Sequence, residues 1–288
     1  MIRTSRQLKA LIRNLTQGNS TQAQIFIRNY VMERFLERIS LSKYRNNFIL
    51  KGGMLVTAMV GLDTRSTIDI DTTIKNMPLS VETAKEMIEE IILIPVDDGM
   101  IFSINKVSEI MEEAEYSGIR AVLDAKLEMM HTPLKVDIST GDVITPSEVS
   151  YSFKLMFEER TISILAYNLE TVLAEKMETV ISRGIVNTRL RDYYDLYILQ
   201  EEYAHVIDMD QFCKALRATS RKRRSSQIVE DGDFILQEIL ESKSMQDMWG
   251  KYQKKFTYAE DISWGMIMKA VTSLYTEGVS FGIKSGIR

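Results

Sequence analysis

A chain of 288 residues, 45% of them hydrophobic and 26% charged, can bury one large core or two ordinary ones, and no apolar run approaches the roughly 20 residues of a membrane-spanning helix. One cysteine, Cys213, excludes an internal disulfide, and with only two histidines there is no material for a Cys/His metal centre. A net charge of −4 excludes attraction of nucleic acid by the molecule as a whole, so such a partner would have to meet a local basic patch.

Two helices are predicted within residues 1–42. Thr4 or Ser5 caps the first, which carries Leu8, Leu11, Ile12 and Leu15 at helical spacing. Ser20 or Thr21 caps the second, which carries Ile25, Ile27, Val31, Phe35 and Ile39. The period then changes. Residues 47–51 read as a short apolar strand broken by Gly52-Gly53, 54–60 as a helix, and 67–74, alternating with period two, as a second strand. Ser80 caps a helix that runs to about Ile94 and is stopped by Pro95. Strand patterns follow over 101–110, 118–130, 134–140 and 161–165, separated by turn chemistry at Ser117-Gly118, Thr132-Pro133, Gly141-Asp142 and Thr145-Pro146.

After about Asn168 strand signals cease. Helices are predicted over 169–183, 188–201, 209–218, 228–243, 246–256 and 263–277, with 278–288 expected to be poorly ordered. The expected organisation is a mixed α and β part over 1–165, led by the two helices of 1–42, and an all-helical part over 166–288. The charged N-terminus has no apolar segment behind it, so no signal peptide is expected and the chain reads as cytoplasmic. Arg217 with Arg221-Lys222-Arg223-Arg224 reads either as a solvated loop between helices or as the local nucleic-acid patch. His131 and His205 show no partner for acid–base work, Cys213 reads as a buried small hydrophobe, and the seventeen methionines as fillers of core gaps.

The chemistry concentrates in three segments. In Thr67-Ile68-Asp69-Ile70-Asp71, alternation sends Asp69 and Asp71 to one face and Ile68 and Ile70 to the core; paired carboxylates repel each other unless a cation lies between them. With no sulfur or imidazole set available, that cation would be Mg2+ or Mn2+. Upstream, Lys51-Gly52-Gly53 stands at a strand-to-helix junction, either a tight turn or a place where backbone amides and a helix N-terminus meet a phosphate. In Leu134-Lys135-Val136-Asp137-Ile138-Ser139, the same alternation puts Val136 and Ile138 in the core and Lys135, Asp137 and Ser139 on the other face. Three carboxylates on two strands can hold the metal ions of phosphoryl or nucleotidyl transfer, which depends mainly on positioning and charge neutralisation. Farther on, Lys176 lies on the apolar stripe of Leu169, Val172, Leu173, Met177 and Val180, and Asp192 and Asp195 share a helix face. Either Lys176 pairs with one of these acids to tie the two halves together, or it serves the reaction.

Lys51-Gly52-Gly53, Arg65-Ser66-Thr67-Ile68-Asp69-Ile70-Asp71 and Lys135-Val136-Asp137 together resemble the polymerase-β-type nucleotidyltransferase pattern, and in particular the AbiEii family, the toxin half of type IV toxin–antitoxin and abortive phage infection systems. Leu173-Ala174-Glu175-Lys176 and Arg189-Leu190-Arg191-Asp192-Tyr193-Tyr194-Asp195-Leu196 are similar to that family's later motifs; the likeness runs from about 46 to 200. Gly52-Gly53 departs from the Gly-Ser common in the first loop, and Ser66 could take the serine's place. The resemblance implies an α+β fold, a nucleotidyltransferase-type mixed sheet with flanking helices followed by an all-α C-terminal domain. It implies a nucleoside triphosphate substrate, metal on Asp69, Asp71 and Asp137, and phosphate binding by Lys51, Gly52, Gly53, Arg65 and Ser66. Lys176 would contact phosphates, and Asp192 would position substrate or that lysine. It further implies a growth-inhibiting toxin with an RNA acceptor, transfer RNA foremost, and an antitoxin encoded nearby that need not bind it. The rival readings are a nucleotidyltransferase acting on a small molecule or protein, and a non-catalytic nucleotide-binding scaffold.

Overall fold

The structure, a computed structural model, describes residues 1–111 and 117–284. Its contacts divide the chain into two compact units, one of residues 1–142 and 148–166, the other of 143–147 and 167–288.

The first unit is a seven-stranded mixed sheet with helices. In chain order it runs α1 (Ser5–Leu15), α2 (Ser20–Leu41), β1 (Phe48–Lys51), α3 (Gly52–Val60), β2 (Asp69–Ile74), α4 (Val81–Ile92), β3 (Met100–Met111), β4 (Ser117–Leu127), β5 (Met130–Thr140), β6 (Val149–Lys154) and β7 (Thr161–Ala166). The sheet order is β3-β4-β5-β2-β1-β7-β6, with β2 parallel to β5, β1 parallel to β7, and the other neighbours antiparallel. One face of β4 and β5 is apolar and closed: Ala121, Leu123, Ala125, Leu134, Val136 and Ile138 are all buried, as are Ala84, Met87, Ile88 and Ile91 of α4. The other face stays open and carries the acids.

Several expectations are corrected here. Thr4 does cap α1, accepting from Gln7 N, but α2 is capped by Asn19, whose amide oxygen accepts from Thr21 and Gln22. Ser117-Gly118 and Thr132-Pro133 lie inside strands; the turn between β4 and β5 is Glu128-Met129, with Glu128 at φ 54. Pro133 is tolerated because β5 gains its second neighbour, β2, only from Lys135 onward, so the missing N–H falls on the still unpaired side. Strand β6 was not expected at all. Ile68 is 43% exposed, since β2 begins only at Asp69 and the alternation does not extend back to it.

The second unit is helical: α5 (Leu169–Arg183), α6 (Leu190–Tyr203), α7 (Met209–Lys222), α8 (Ser226–Glu230), α9 (Gly232–Glu241), α10 (Lys243–Lys255) and α11 (Trp264–Lys284). The single helix expected over 228–243 is two. Tyr275 Oη donates to Val229 O at 2.7 Å, taking a carbonyl the helix would use, and a Cβ at Gly232 would sit 2.5 Å from the same ring. Residues 278–284, expected to be poorly ordered, continue α11, while 285–288 lie outside the described residues. The basic run is the end of α7 rather than a loop: Arg223 caps that helix and reaches Glu178 at 2.6 Å and Glu175 at 3.1 Å. Cys213 is buried, as are Met32, Met54, Met177 and Met245 among the methionines. Among the described residues no helix is long and apolar enough to cross a membrane.

Candidate active site

The site grows from the register of three strands. Asp71 of β2 lies opposite Asp137 of the parallel β5, and Asp69 opposite Lys135, so the three carboxylates share the open face. Lys51, the last residue of β1, lies opposite Asp71 on its other side. Helix α3 starts at Gly52, without a side-chain cap, and its Gly53 N–H donates to Asp71 Oδ2 at 3.4 Å. Asp71 thus meets the positive end of a helix that its own N-cap residue, Lys51, does not cap through its side chain.

Both glycines have a local reason. Gly52 has φ +63, and a Cβ there would collide with the Asp71 carboxylate. A Cβ on Gly53 would lie 2.7 Å from Thr67 Oγ1 and 3.0 Å from Arg65 Nη2. The expected strand-to-helix junction is therefore a packing requirement: the carboxylate and the loop before β2 press against the start of α3. Arg65 and Ser66 are 3% and 7% exposed, and Arg65 donates to the Ser66 carbonyl.

Each acid has a partner. Thr67 Oγ1 donates to Asp69 at 3.0 Å. Asp137 is held bidentately by Arg120 of β4, directly across the strand pair, at 2.7 and 2.6 Å. Lys51 Nζ reaches Asp142 at 2.5 Å, and Ser139 Oγ donates to the same carboxylate oxygen at 2.8 Å. Burial, reinforced by Asp69, pushes the Asp71 carboxyl up to about 6; Asp137 adds to the shift and Lys51 opposes it. Among the described residues no three His, Cys, Asp or Glu side chains stand at metal-holding distances from one another.

Sequence reasoning missed Arg120, Thr67 and Asp142. The alternation of Arg120, Val122 and Asp124 in β4 was a usable signal for Arg120; Asp142 was read only as turn chemistry. His131 was expected to stand alone, yet its Nδ1 lies 2.6 Å from Asp124 Oδ2, because a residue one step diagonal on the neighbouring strand is within reach.

Lys176 and Asp192 belong to the second unit. Lys176 Nζ lies 2.9 Å from Asp192 Oδ1 and 2.6 Å from Asp195 Oδ2, and Asp195 is fully buried. The triad ties α5 to α6, not one half of the chain to the other.

Comparison with known proteins adds the following. The sequence profile of the AbiEii family, described as the nucleotidyl transferase AbiEii toxin of a type IV toxin–antitoxin system, matches residues 34–270. No curated protein sequence matches the chain. The crystal structure of JHP933 from Helicobacter pylori superposes with a TM-score of 0.53 at 14% identity, over 91% of this chain and 95% of that one. A second H. pylori structure, described as a candidate nucleotidyltransferase, gives 0.50 at 13% identity over 91% and 97%. At such identities these likenesses show the fold alone.

Proposed function

The chain belongs to the AbiEii family of polymerase-β-type nucleotidyltransferases, and from that premise we propose that residues 1–165 transfer a nucleotide from a nucleoside triphosphate to an RNA acceptor, with transfer RNA the expected class. The acceptor hydroxyl attacks the α-phosphorus, the bond to the bridging oxygen breaks and pyrophosphate leaves; the hydroxyl proton passes to Asp137 where that residue serves as base rather than as third metal ligand. Modifying RNA in this way would arrest growth, the role of the toxin in a cytoplasmic type IV system whose antitoxin need not touch it.

The observation that carries this reading is the alignment of Asp69, Asp71 and Asp137 on one open face beside the start of α3. The donors are hard carboxylate oxygens facing across adjacent strands, a set that suits Mg2+ or Mn2+. Asp69 and Asp71 would hold that ion, with Asp137 as third ligand or base; when bound it would neutralise the triphosphate and orient it. Lys51 and the Gly52 and Gly53 amides would receive the triphosphate, with Arg65 and Ser66 adding to phosphate binding; the helix N-terminus that begins there supports this reading. The roles of Lys176 at the phosphates and of Asp192 in holding that lysine are proposed from the family resemblance alone; the pair itself lies within the second unit.

The test is incubation of purified protein with each α-labelled nucleoside triphosphate, Mg2+ and total cellular RNA, beside an Asp69→Ala variant. Label in a band of transfer-RNA size with the wild type alone is the expected result. Label on protein or on a small molecule, with RNA unlabelled, would replace the acceptor.

A further inference from the structure

We propose that the open face of β3, β4 and β5 is the track along which the RNA acceptor's phosphate backbone lies, gripped by Lys106, Lys126 and Lys135. This rests on the RNA-acceptor reading and deepens it. The strand register places the three lysines on the face of the catalytic acids. Lys135 lies opposite Asp69 on one side and Val122 on the other, and Lys106 lies opposite that same Val122 from β3. Lys126, four residues beyond Val122 along β4, shares the face and lies opposite His131. By strand geometry, Lys106 and Lys135 are about 10 Å apart between Cα atoms and each is about 14 Å from Lys126.

All three lysines are exposed, and none makes an ion pair among the described residues. The fixed charges elsewhere on the face of these strands are Arg120, which is spent on Asp137, and Asp124, which is engaged by His131. The patch is therefore positive on a chain whose net charge is −4. Three like charges left unpaired on one face repel one another and gain only when an anion arrives. A flat open sheet offers a chain of phosphates a surface to lie along, and it leads from Lys126 and Lys106 past Lys135 to Asp69. Phosphate contacts of this kind set position without reading sequence. They would bring an RNA end to the acids while leaving nucleotide binding to the start of α3.

The experiment uses the full-length Lys106→Glu/Lys126→Glu double variant, both sites exposed, with its thermal unfolding checked against the wild type. Bulk transfer RNA is the probe, with labelled nucleoside triphosphate and Mg2+. The expected result is a KM for RNA raised about tenfold, with kcat at saturating RNA and KM for the nucleotide unchanged. The log–log dependence of RNA binding on salt should also flatten by about 1.4–1.8, the loss of two contacts at roughly 0.7–0.9 each. An unchanged KM for RNA and an unchanged salt slope in a variant that still labels RNA would overturn the track alone. If the wild type labels protein or a small molecule and never RNA, the acceptor reading falls and the track falls with it.

Discussion

Asp71 is held at a cost. It is enclosed between the start of α3 and two other carboxylates, and its carboxyl is pushed up to about 6 from 3.8. A raised folded-state value means that the folded chain keeps a proton that the unfolded chain has already released, so stability falls as pH rises from about 4 through about 6. At neutral pH, without a cation, the charged form weakens the fold. Asp71→Asn is therefore expected to raise the melting temperature by a few degrees, about 1–3 kcal/mol, and to abolish transfer. The amide oxygen can still accept from Gly53 N. A calorimetric scan at pH 7.5 in chelator decides it; a lower Tm in the variant would mean that Asp71 holds the fold through Lys51. The acids themselves were legible, because period-two alternation puts residues two apart on one face whatever the sheet around them. Their partners were less so: Arg120 reaches Asp137 across a strand pair, and Lys51 reaches Asp142 across 91 residues, contacts that depend on register and turn.

At the scale of elements, α2 departs from an ordinary amphipathic helix. Glu33, Arg34, Glu37 and Arg38 are all buried on it. Arg38 clamps Asp98 at 2.7 and 3.0 Å, Arg34 meets Glu37 at 2.8 Å and Glu158 at 3.1 Å, and Arg160 meets Glu37 and Glu158 at 2.6 Å each. Glu33 receives Asn29 Nδ2 and Met156 N, both at 2.8 Å, yet burial pushes it up to about 8 from 4.5. The folded chain thus keeps a proton on Glu33 between about 4.5 and about 8, and this contribution to stability is lost as pH rises through that window. Glu33→Gln should flatten the decline and leave the protein about 1–3 kcal/mol more stable than wild type at pH 8.5. Asn29 can turn its amide to suit, since its Oδ1 has no partner. Urea unfolding across pH 5–9 measures this, and a variant less stable than wild type at every pH would show that the charge is needed by Arg34. Such a helix was visible in outline, through Val31, Phe35 and Ile39, but its buried charges defeat a polar-out reading. Strand β6 was hidden for a related reason: only Phe153 of its six residues is buried, so it lacks an apolar alternation. The turn at Glu128-Met129 was hidden because neither residue is a usual turn former.

For the molecule as a whole, the division into a sheet-based part and a helical part was readable from the change of period near Asn168. What no periodicity could show is that the second unit also includes residues 143–147, so the chain passes from one unit to the other after Asp142, Ser147 and Ala166. That short segment is bound by Asn168, which is 8% exposed. Asn168 Oδ1 caps α5 by accepting from Thr171 N at 2.8 Å, while its Nδ2 donates to Thr145 O at 2.8 Å and Ser147 O at 2.9 Å. Thr171 Oγ1 completes the grip by accepting from Thr145 N at 3.1 Å. At an ordinary cap Asn and Asp are equivalent, and Asp gains from the helix dipole. Here Asn168→Asp would keep the cap but turn a donor into a carboxylate oxygen facing two carbonyls. It should cost about 2–3 kcal/mol, more than Asn168→Ala, which loses the cap and the two bonds but adds no repulsion. Urea unfolding of both variants separates the roles. If the Asn168→Asp variant is as stable as wild type, Asn168 is a cap and nothing more; the opposite order of stabilities would mean that the cap on the first turn of α5 outweighs the repulsion between a carboxylate and the carbonyls of Thr145 and Ser147.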